Sequence, residues 1–237
     1  VGQAEGKSTI SGKQRPLVFW HPAEEIARKD PKGKRFVAVL GLHSSGSSCM
    51  AGVLYHLGVH MGNHFTGFYG NDPGSKNCGF EAEWLAKICE EAIPFPATEL
   101  KIPRGQAWAK LKKFIDSKRK EAIAINTIAG GKYPQLCRLG NQLRNIVGDA
   151  LKVVCIDRPI EESIESMSRR FKRLSTETIE AHQRWLYTGR EELVESLNPY
   201  QVIRVNYADL LADPRKEAIR IAEFLELRPA ESDYLAV

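Results

Sequence analysis

Residues Phe36-Val-Ala-Val-Leu-Gly-Leu-His-Ser-Ser-Gly-Ser-Ser-Cys-Met-Ala-Gly-Val-Leu-Tyr-His-Leu join an apolar run, a Gly/Ser turn and a helical stripe. No other stretch constrains the fold as strongly. The run Phe36 to Leu40 reads as a buried strand, and Met50, Val53, Leu54 and Leu57 recur at helical spacing until Gly58 stops them. A strand that turns straight into a helix leaves the first helical N–H groups unpaired and convergent, where the helix dipole also favours negative charge. Serines cap helices with nothing bound. Here, however, the turn follows the first strongly apolar strand, where open α/β sheets take their ligands. The segment therefore reads as an anion cradle. It lacks the Gly-Lys-Ser/Thr ending with which nucleotide-hydrolysing loops grip outer phosphates and magnesium.

Three further apolar runs, Ala122 to Ile125, Val153 to Ile156 and Val202 to Val205, alternate with helical segments and predict a parallel sheet. The fold class expected is α/β, a three-layer sandwich with a central, mainly parallel sheet and a P-loop-like strand-turn-helix. One helix should follow Pro159 with the stripe Ile160, Ile164, Met167 and Phe171, and a longer one should run from Thr176 to about Leu197. Asp213-Pro214 supplies a cap and first residue for a last helix burying Ala218, Ile221, Ala222 and Leu225. Residues 1–34, rich in Gly, Ser, Lys and Pro, read as an N-terminal extension, partly disordered. Residues 35–237 read as a single domain, within which His64 to Gly79 forms an aperiodic loop of the kind that often carries function.

Partners and compartment follow from charge and cysteines. The net charge is +5, but the densest basic run, Lys110 to Lys120, is interleaved with Leu111, Phe114 and Ile115 and reads as a solvated helix face, so nucleic acid is not expected. Five scattered cysteines without metal or Cys-x-x-Cys spacing suit reduced thiols in the cytoplasm. No run is long and apolar enough for a membrane span, and no secretion signal is legible. His43, His56, His60 and His64 do not form a zinc set, and no metal is expected.

The second informative block is Lys152-Val-Val-Cys-Ile-Asp-Arg-Pro-Ile-Glu-Glu-Ser-Ile-Glu-Ser-Met. It places Arg158 at the carboxyl end of a strand, where a guanidinium offers a planar fork to phosphate oxygens, and Ser166 one helical stretch on. The plainer alternative is an Arg paired with a nearby carboxylate and a Ser on a solvated flank.

Taken together these blocks resemble those of sulfotransferases that use 3′-phosphoadenosine 5′-phosphosulfate (PAPS). Gly41-Leu-His-Ser-Ser-Gly-Ser-Ser resembles the family's 5′-phosphosulfate loop, and the spacing of Arg158 and Ser166 resembles its 3′-phosphate site. Gly130-Gly-Lys-Tyr-Pro-Gln-Leu-Cys-Arg-Leu, Val205-Asn-Tyr-Ala-Asp-Leu-Leu-Ala-Asp-Pro and Phe224-Leu-Glu-Leu resemble further family blocks, in family order from about Phe36 to Leu227. The resemblance implies that His43, Ser44, Ser45, Gly46, Ser47 and Ser48 wrap the sulfate-bearing phosphate, with Arg158 and Ser166 on the 3′-phosphate. It implies sulfuryl transfer to a hydroxyl or amine of a small-molecule or glycan acceptor. The loop position usually held by Arg or Lys in the family is Ser44 here, so either His43 or Lys132 compensates or catalysis is weaker than the family norm. Lys132 is the expected catalytic cation on the bridging oxygen and Glu81 the expected general base, with His60, His64 and His182 as competitors. Two alternatives stand beside this reading. One is a kinase or nucleotide hydrolase with Asp157 on magnesium. The other is a nucleotide-binding relative that has lost turnover.

Overall fold

The computed structural model describes residues 35–66 and 78–235. The proposed extension 1–34 and most of the His64 to Gly79 loop lie outside the described residues. Four strands, β1 (Phe36–Leu40), β2 (Ala129–Lys132), β3 (Leu151–Asp157) and β4 (Val202–Asn206), pair in the order β2-β1-β3-β4. All three pairings are parallel, with Val39 opposite Lys132, Leu40 opposite Cys155 and Asp157 opposite Asn206. The carboxyl ends of the four strands thus share one edge. The chain leaves β1 for β2 on one side and β3 on the other, so the end of β1 is the crevice where such sheets bind ligands.

Side-chain alternation on β1 builds the two outer layers. Phe36, Ala38 and Leu40 face α2 (Glu83–Ala92), α3 (Arg104–Ala124), α4 (Gly140–Val147) and α6 (Thr176–Glu195), packing on Leu85, Leu111, Phe114, Leu143 and Leu186. Val37 and Val39 face α1 (Ser47–His56), α7 (Tyr207–Ala212) and α8 (Pro214–Leu225), packing on Met50, Leu54, Leu210, Ile221 and Leu225. A smaller cluster of Ile164, Met167 and Ile179 ties α5 (Ile160–Arg170) to α6, and α9 spans Glu231–Leu235. This is the expected three-layer α/β sandwich.

Helix starts follow the expected local chemistry. The Asp213 carboxylate accepts from the Lys216 N–H at 3.0 Å with Pro214 in the first turn, and the Ser175 hydroxyl oxygen accepts from the Thr178 N–H at 3.2 Å. One expectation fails. Ala122 to Ile125 is not a strand but the last turn of α3 and the residue that caps it, with Ala122 buried and Ile123 and Ile125 left largely in solvent. The second strand is Ala129-Gly-Gly-Lys instead. Its glycines reflect close packing: a Cβ on Gly130 would lie 2.7 Å from Met61 Sδ and 2.8 Å from Val59 Cγ1. The basic run does lie on α3. Lys118 departs from the solvated face, being buried with its ammonium 2.6 Å from Glu121.

All five cysteines are free thiols, and only Cys49 is exposed. Among the described residues no helix is long and apolar enough to cross a membrane.

Candidate functional site

The turn after β1 is held open by its neighbours. Gly46 has φ +91°, and a Cβ there would sit 2.2 Å from the Tyr207 ring, so only glycine fits. The Ser44 carbonyl accepts from Arg158 Nη1 at 2.9 Å, the His43 carbonyl accepts from Gln183 Nε2 at 2.8 Å, and the Ser45 hydroxyl donates to Leu42 O at 2.8 Å. No side chain caps α1, which leaves its first amides aimed at the cavity. The backbone is preorganised by side chains from α6 and from the end of β3, so a bound anion would not have to order it.

A cavity of about 370 Å³ opens on this turn. His43, Ser44 and Gly46 line it from the loop, Ser47 and Ser48 from the start of α1, Lys132 from β2, Arg158 from just past β3 and Ser166 from α5. Seven of the eight proposed donor-binding residues, and both proposed catalytic ones, therefore share one space. Ser45 is the exception: both its hydroxyl and its N–H point back to Leu42 O. Three cations, Lys132, Arg158 and Arg170, and one carboxylate, Glu81, line the cavity.

Lys132 ends β2 and is almost wholly buried. Its ammonium donates to Glu81 Oε1 at 2.5 Å and to Ser48 Oγ at 3.0 Å. A lysine ammonium from the adjacent strand thus reaches the amino end of α1. Glu81 precedes α2, is buried, and also accepts from the Thr66 hydroxyl at 3.2 Å. Arg158 donates through Nε to Glu162 at 2.9 Å, and its guanidinium lies 5.1 Å from the Tyr207 ring centroid. Five donors on a guanidinium leave three for a ligand.

A second cavity, about 490 Å³, adjoins the first. Phe95, Phe171, Tyr133 and Ala86 give it apolar walls, and His43, Glu81 and Arg170 line both spaces. A molecule in the second cavity would meet a molecule in the first across Glu81. Tyr133 donates to Glu90 at 2.6 Å, and burial together with that carboxylate pushes the phenol far up from its ordinary range. It stays protonated.

The histidines divide by position. His60 pairs with Glu121 at 3.0 Å beside the amino end of β2, at the opposite edge of the sheet, so it is no competitor for the base. His64 is exposed and lines neither cavity. His43 and His182 pack at 5.5 Å against one another and both meet Phe95. Burial, then mutual and cationic repulsion, holds His43 well below the usual histidine range, and burial lowers His182 and His56. Unfolded histidines protonate near ~6.5. The unfolded chain therefore binds more protons below that pH than the folded one, and stability falls as pH falls. We expect the urea midpoint to be lower at pH 5.5 than at 7.5, and His182→Gln to shrink that drop. An unchanged midpoint would show that these rings are not held neutral.

Asp157 does not present a free carboxylate. Arg190 holds it at 2.9 Å and Arg204 at 3.2 Å. Cys155, Asp157 and Glu191 bring possible ligand atoms within 4.8 Å of one another, but the same two guanidiniums engage both carboxylates. Burial pushes the Cys155 thiol up to about 12. The arrangement is an ion-pair lattice, and it does not suit magnesium. Arg170, Tyr207, Thr66 and Tyr133 were not singled out from sequence. Arg170 lies one turn beyond Ser166 on α5, a spacing that could have found it.

The fold and its crevice define the class: a parallel α/β sandwich with a strand-turn-helix at the switch point. Solved structures narrow it to the sulfotransferase fold. The sulfotransferase domain of the Synechococcus PCC 7002 olefin synthase is 20% identical over 84% of this chain and 75% of that one, with a TM-score of 0.54. The sulfotransferase domain of the curacin biosynthetic pathway is 16% identical over 85% and 76%, at 0.54. Sulfotransferase STF1 of Mycobacterium tuberculosis is 17% identical over 90% and 74%, at 0.55. No family model matches the chain, and no curated protein matches it by sequence.

Proposed function

We propose that this chain transfers a sulfuryl group from PAPS to a hydroxyl or amine acceptor. The observation that carries the reading is the Lys132–Glu81 pair, buried at the seam between the cation-lined cradle and an aromatic cavity. In this reading the cradle amides with Ser47 and Ser48 hold the 5′-phosphosulfate, and Arg158 and Ser166 hold the 3′-phosphate. The acceptor lies against Phe95 and Phe171. Glu81 takes the acceptor proton as the acceptor oxygen or nitrogen bonds to sulfur. The bond from sulfur to the bridging phosphate oxygen breaks, and Lys132 stabilises the charge that collects on that oxygen. Sulfuryl transfer shares these demands with phosphoryl transfer, where positioning and electrostatics carry most of the work.

The test is transfer of label from sulfur-labelled PAPS to a panel of alcohols, phenols, amines and sugars. Transfer to any acceptor, lost in Glu81→Gln, supports the reading. Donor binding with no transfer and no donor hydrolysis would leave a nucleotide-binding protein. The nucleotide-hydrolase alternative loses support from the double pairing of Asp157.

Arg158→Ala is expected to weaken 3′-phosphoadenosine 5′-phosphate (PAP) by about ten- to a hundredfold, the scale of a charge-assisted bond. Adenosine 5′-monophosphate, lacking the 3′-phosphate, should change little. Calorimetric titration of both ligands checks this, and equal losses would remove Arg158 from the 3′-phosphate.

A further inference from the structure

A third cavity, about 970 Å³, lies where the start of α3, the start of α4 and one side of α6 meet. It shares no lining residue with the other two. Four features of it point to a ligand. The first is the amino end of α4, whose cap residue Leu139 offers no side-chain acceptor and whose first residues line the cavity. The second is Gln142, only 9% exposed, with its buried amide oxygen lacking any partner. A buried acceptor without a donor is costly unless a ligand supplies one.

The third feature is a pair of uncompensated cations. Arg138 is matched by Glu192 at 3.4 Å, and Glu99 is taken by Lys101. Arg104 and Arg144 face the same space with no ion pair among the described residues. The fourth is Trp108, 37% exposed on the cavity wall, with no ring or cation partner among the described residues. Trp185, by contrast, has the Arg138 guanidinium 4.6 Å from its ring centroid.

These groups call for one chemistry: a ring to lie on an indole, a hydroxyl to donate to Gln142, and an anion for two guanidiniums and a helix amino terminus. We propose that this cavity binds an acidic sugar ring, bearing a carboxylate or a sulfate ester, as the remote part of the acceptor. Phe95 lines the aromatic cavity and Thr98 lines this one. Three residues span at most ~11 Å, so the two spaces lie on either side of one short segment. The role as acceptor subsite rests on the sulfotransferase reading, whereas binding itself does not. Binding energy gathered here would serve the transferring end.

The experiment is calorimetric titration of the full chain with trigalacturonate, glucose 6-sulfate, maltotriose and adenosine 5′-monophosphate, with PAP titrated in parallel. At least one acidic sugar should bind about tenfold or more tighter than maltotriose, and the two acidic ligands distinguish carboxylate from sulfate. Trp108→Ala, Arg144→Gln and Arg104→Gln/Arg144→Gln should each weaken it, the double variant by about tenfold or more, with PAP affinity unchanged. No acidic-sugar binding, equal binding of maltotriose, tighter binding of the nucleotide outside the cradle, or variants that bind the acidic sugar like wild type would each overturn the proposal. If wild type binds trigalacturonate in a variant-sensitive way but not PAP, the sugar site stands and the donor reading falls.

Discussion

Lys132→Ala should cut turnover by about a hundred- to a thousandfold, the scale of removing one preorganised charge at a developing oxyanion. PAP affinity should fall far less, because the ammonium is proposed to act most strongly when the bridging bond breaks. The same change strips the partner from buried Glu81, which lies 2.5 Å from the ammonium. Leaving such a charge uncompensated costs about 3–5 kcal/mol. The stability effect is read separately in the double variant Lys132→Ala/Glu81→Gln, which should recover much of the lost stability in a denaturation series. A fall in Lys132→Ala turnover no larger than its loss of folded protein would mean that Lys132 is a structural partner and not the charge at the leaving oxygen. Equal losses of turnover and PAP affinity would mean the same.

Arg190→Met should lower Tm by about 10 °C. The guanidinium is buried and donates to the Ile156 carbonyl at 3.0 Å, to Asp157 at 2.9 Å and to Glu191 at 2.8 Å. Methionine fills much of the volume but leaves a buried carbonyl unpaired, which costs about 1–3 kcal/mol. It also halves the compensation of two carboxylates, bringing the total to about 3–5 kcal/mol. For a chain of this size each kcal/mol moves Tm by about 2–4 °C. The loss would be felt at the site as well, since the same lattice fixes the end of β3 from which Arg158 reaches Ser44. Thermal unfolding with and without saturating PAP checks both parts. A Tm within about 2 °C of wild type would show that Arg204 alone holds the two acids.

Much of this was legible in the chain because local signals agreed with the global fold. Phe36 to Leu57 combines a continuous apolar strand, a Gly/Ser turn and a helix stripe, and each is visible in one short window. The Asp213-Pro214 start is equally local, a side-chain cap beside a residue with no N–H to satisfy. The strand assigned to Ala122 to Ile125 failed because a short apolar run carries no period that separates helix from strand. β2 escaped notice for the opposite reason: Ala129-Gly-Gly has weak strand propensity and is strand only because Met61, Val59, Leu85 and Phe36 crowd its Cα positions.

The candidate site divides in the same way. Ser44, Gly46, Ser47, Ser48 and Arg158 could be placed because each sits just after a strand, in the turn or at the helix start that follows, and Ser166 could be placed by its spacing from Arg158. The contact between Lys132 and Glu81 joins residues 51 apart in sequence, and no pattern in either neighbourhood announces it. The aromatic cavity is assembled from Phe95, Tyr133 and Phe171 on three separate segments, so only the folded chain brings its walls together. Glu81 itself could be named from its short Asn77-Cys-Gly-Phe-Glu segment, while its pairing could not.

In the proposed reading one nucleotide is anchored at two poles, by cradle amides at one end and by Arg158 with Ser166 at the other. Calorimetric titration with PAP, and separately with ATP and magnesium, tests it most directly. The expected result is one PAP per chain, weakened by Arg158→Ala, with ATP and magnesium binding at least about tenfold more weakly. Binding of ATP with magnesium in preference to PAP, or PAP binding indifferent to Arg158, would contradict it.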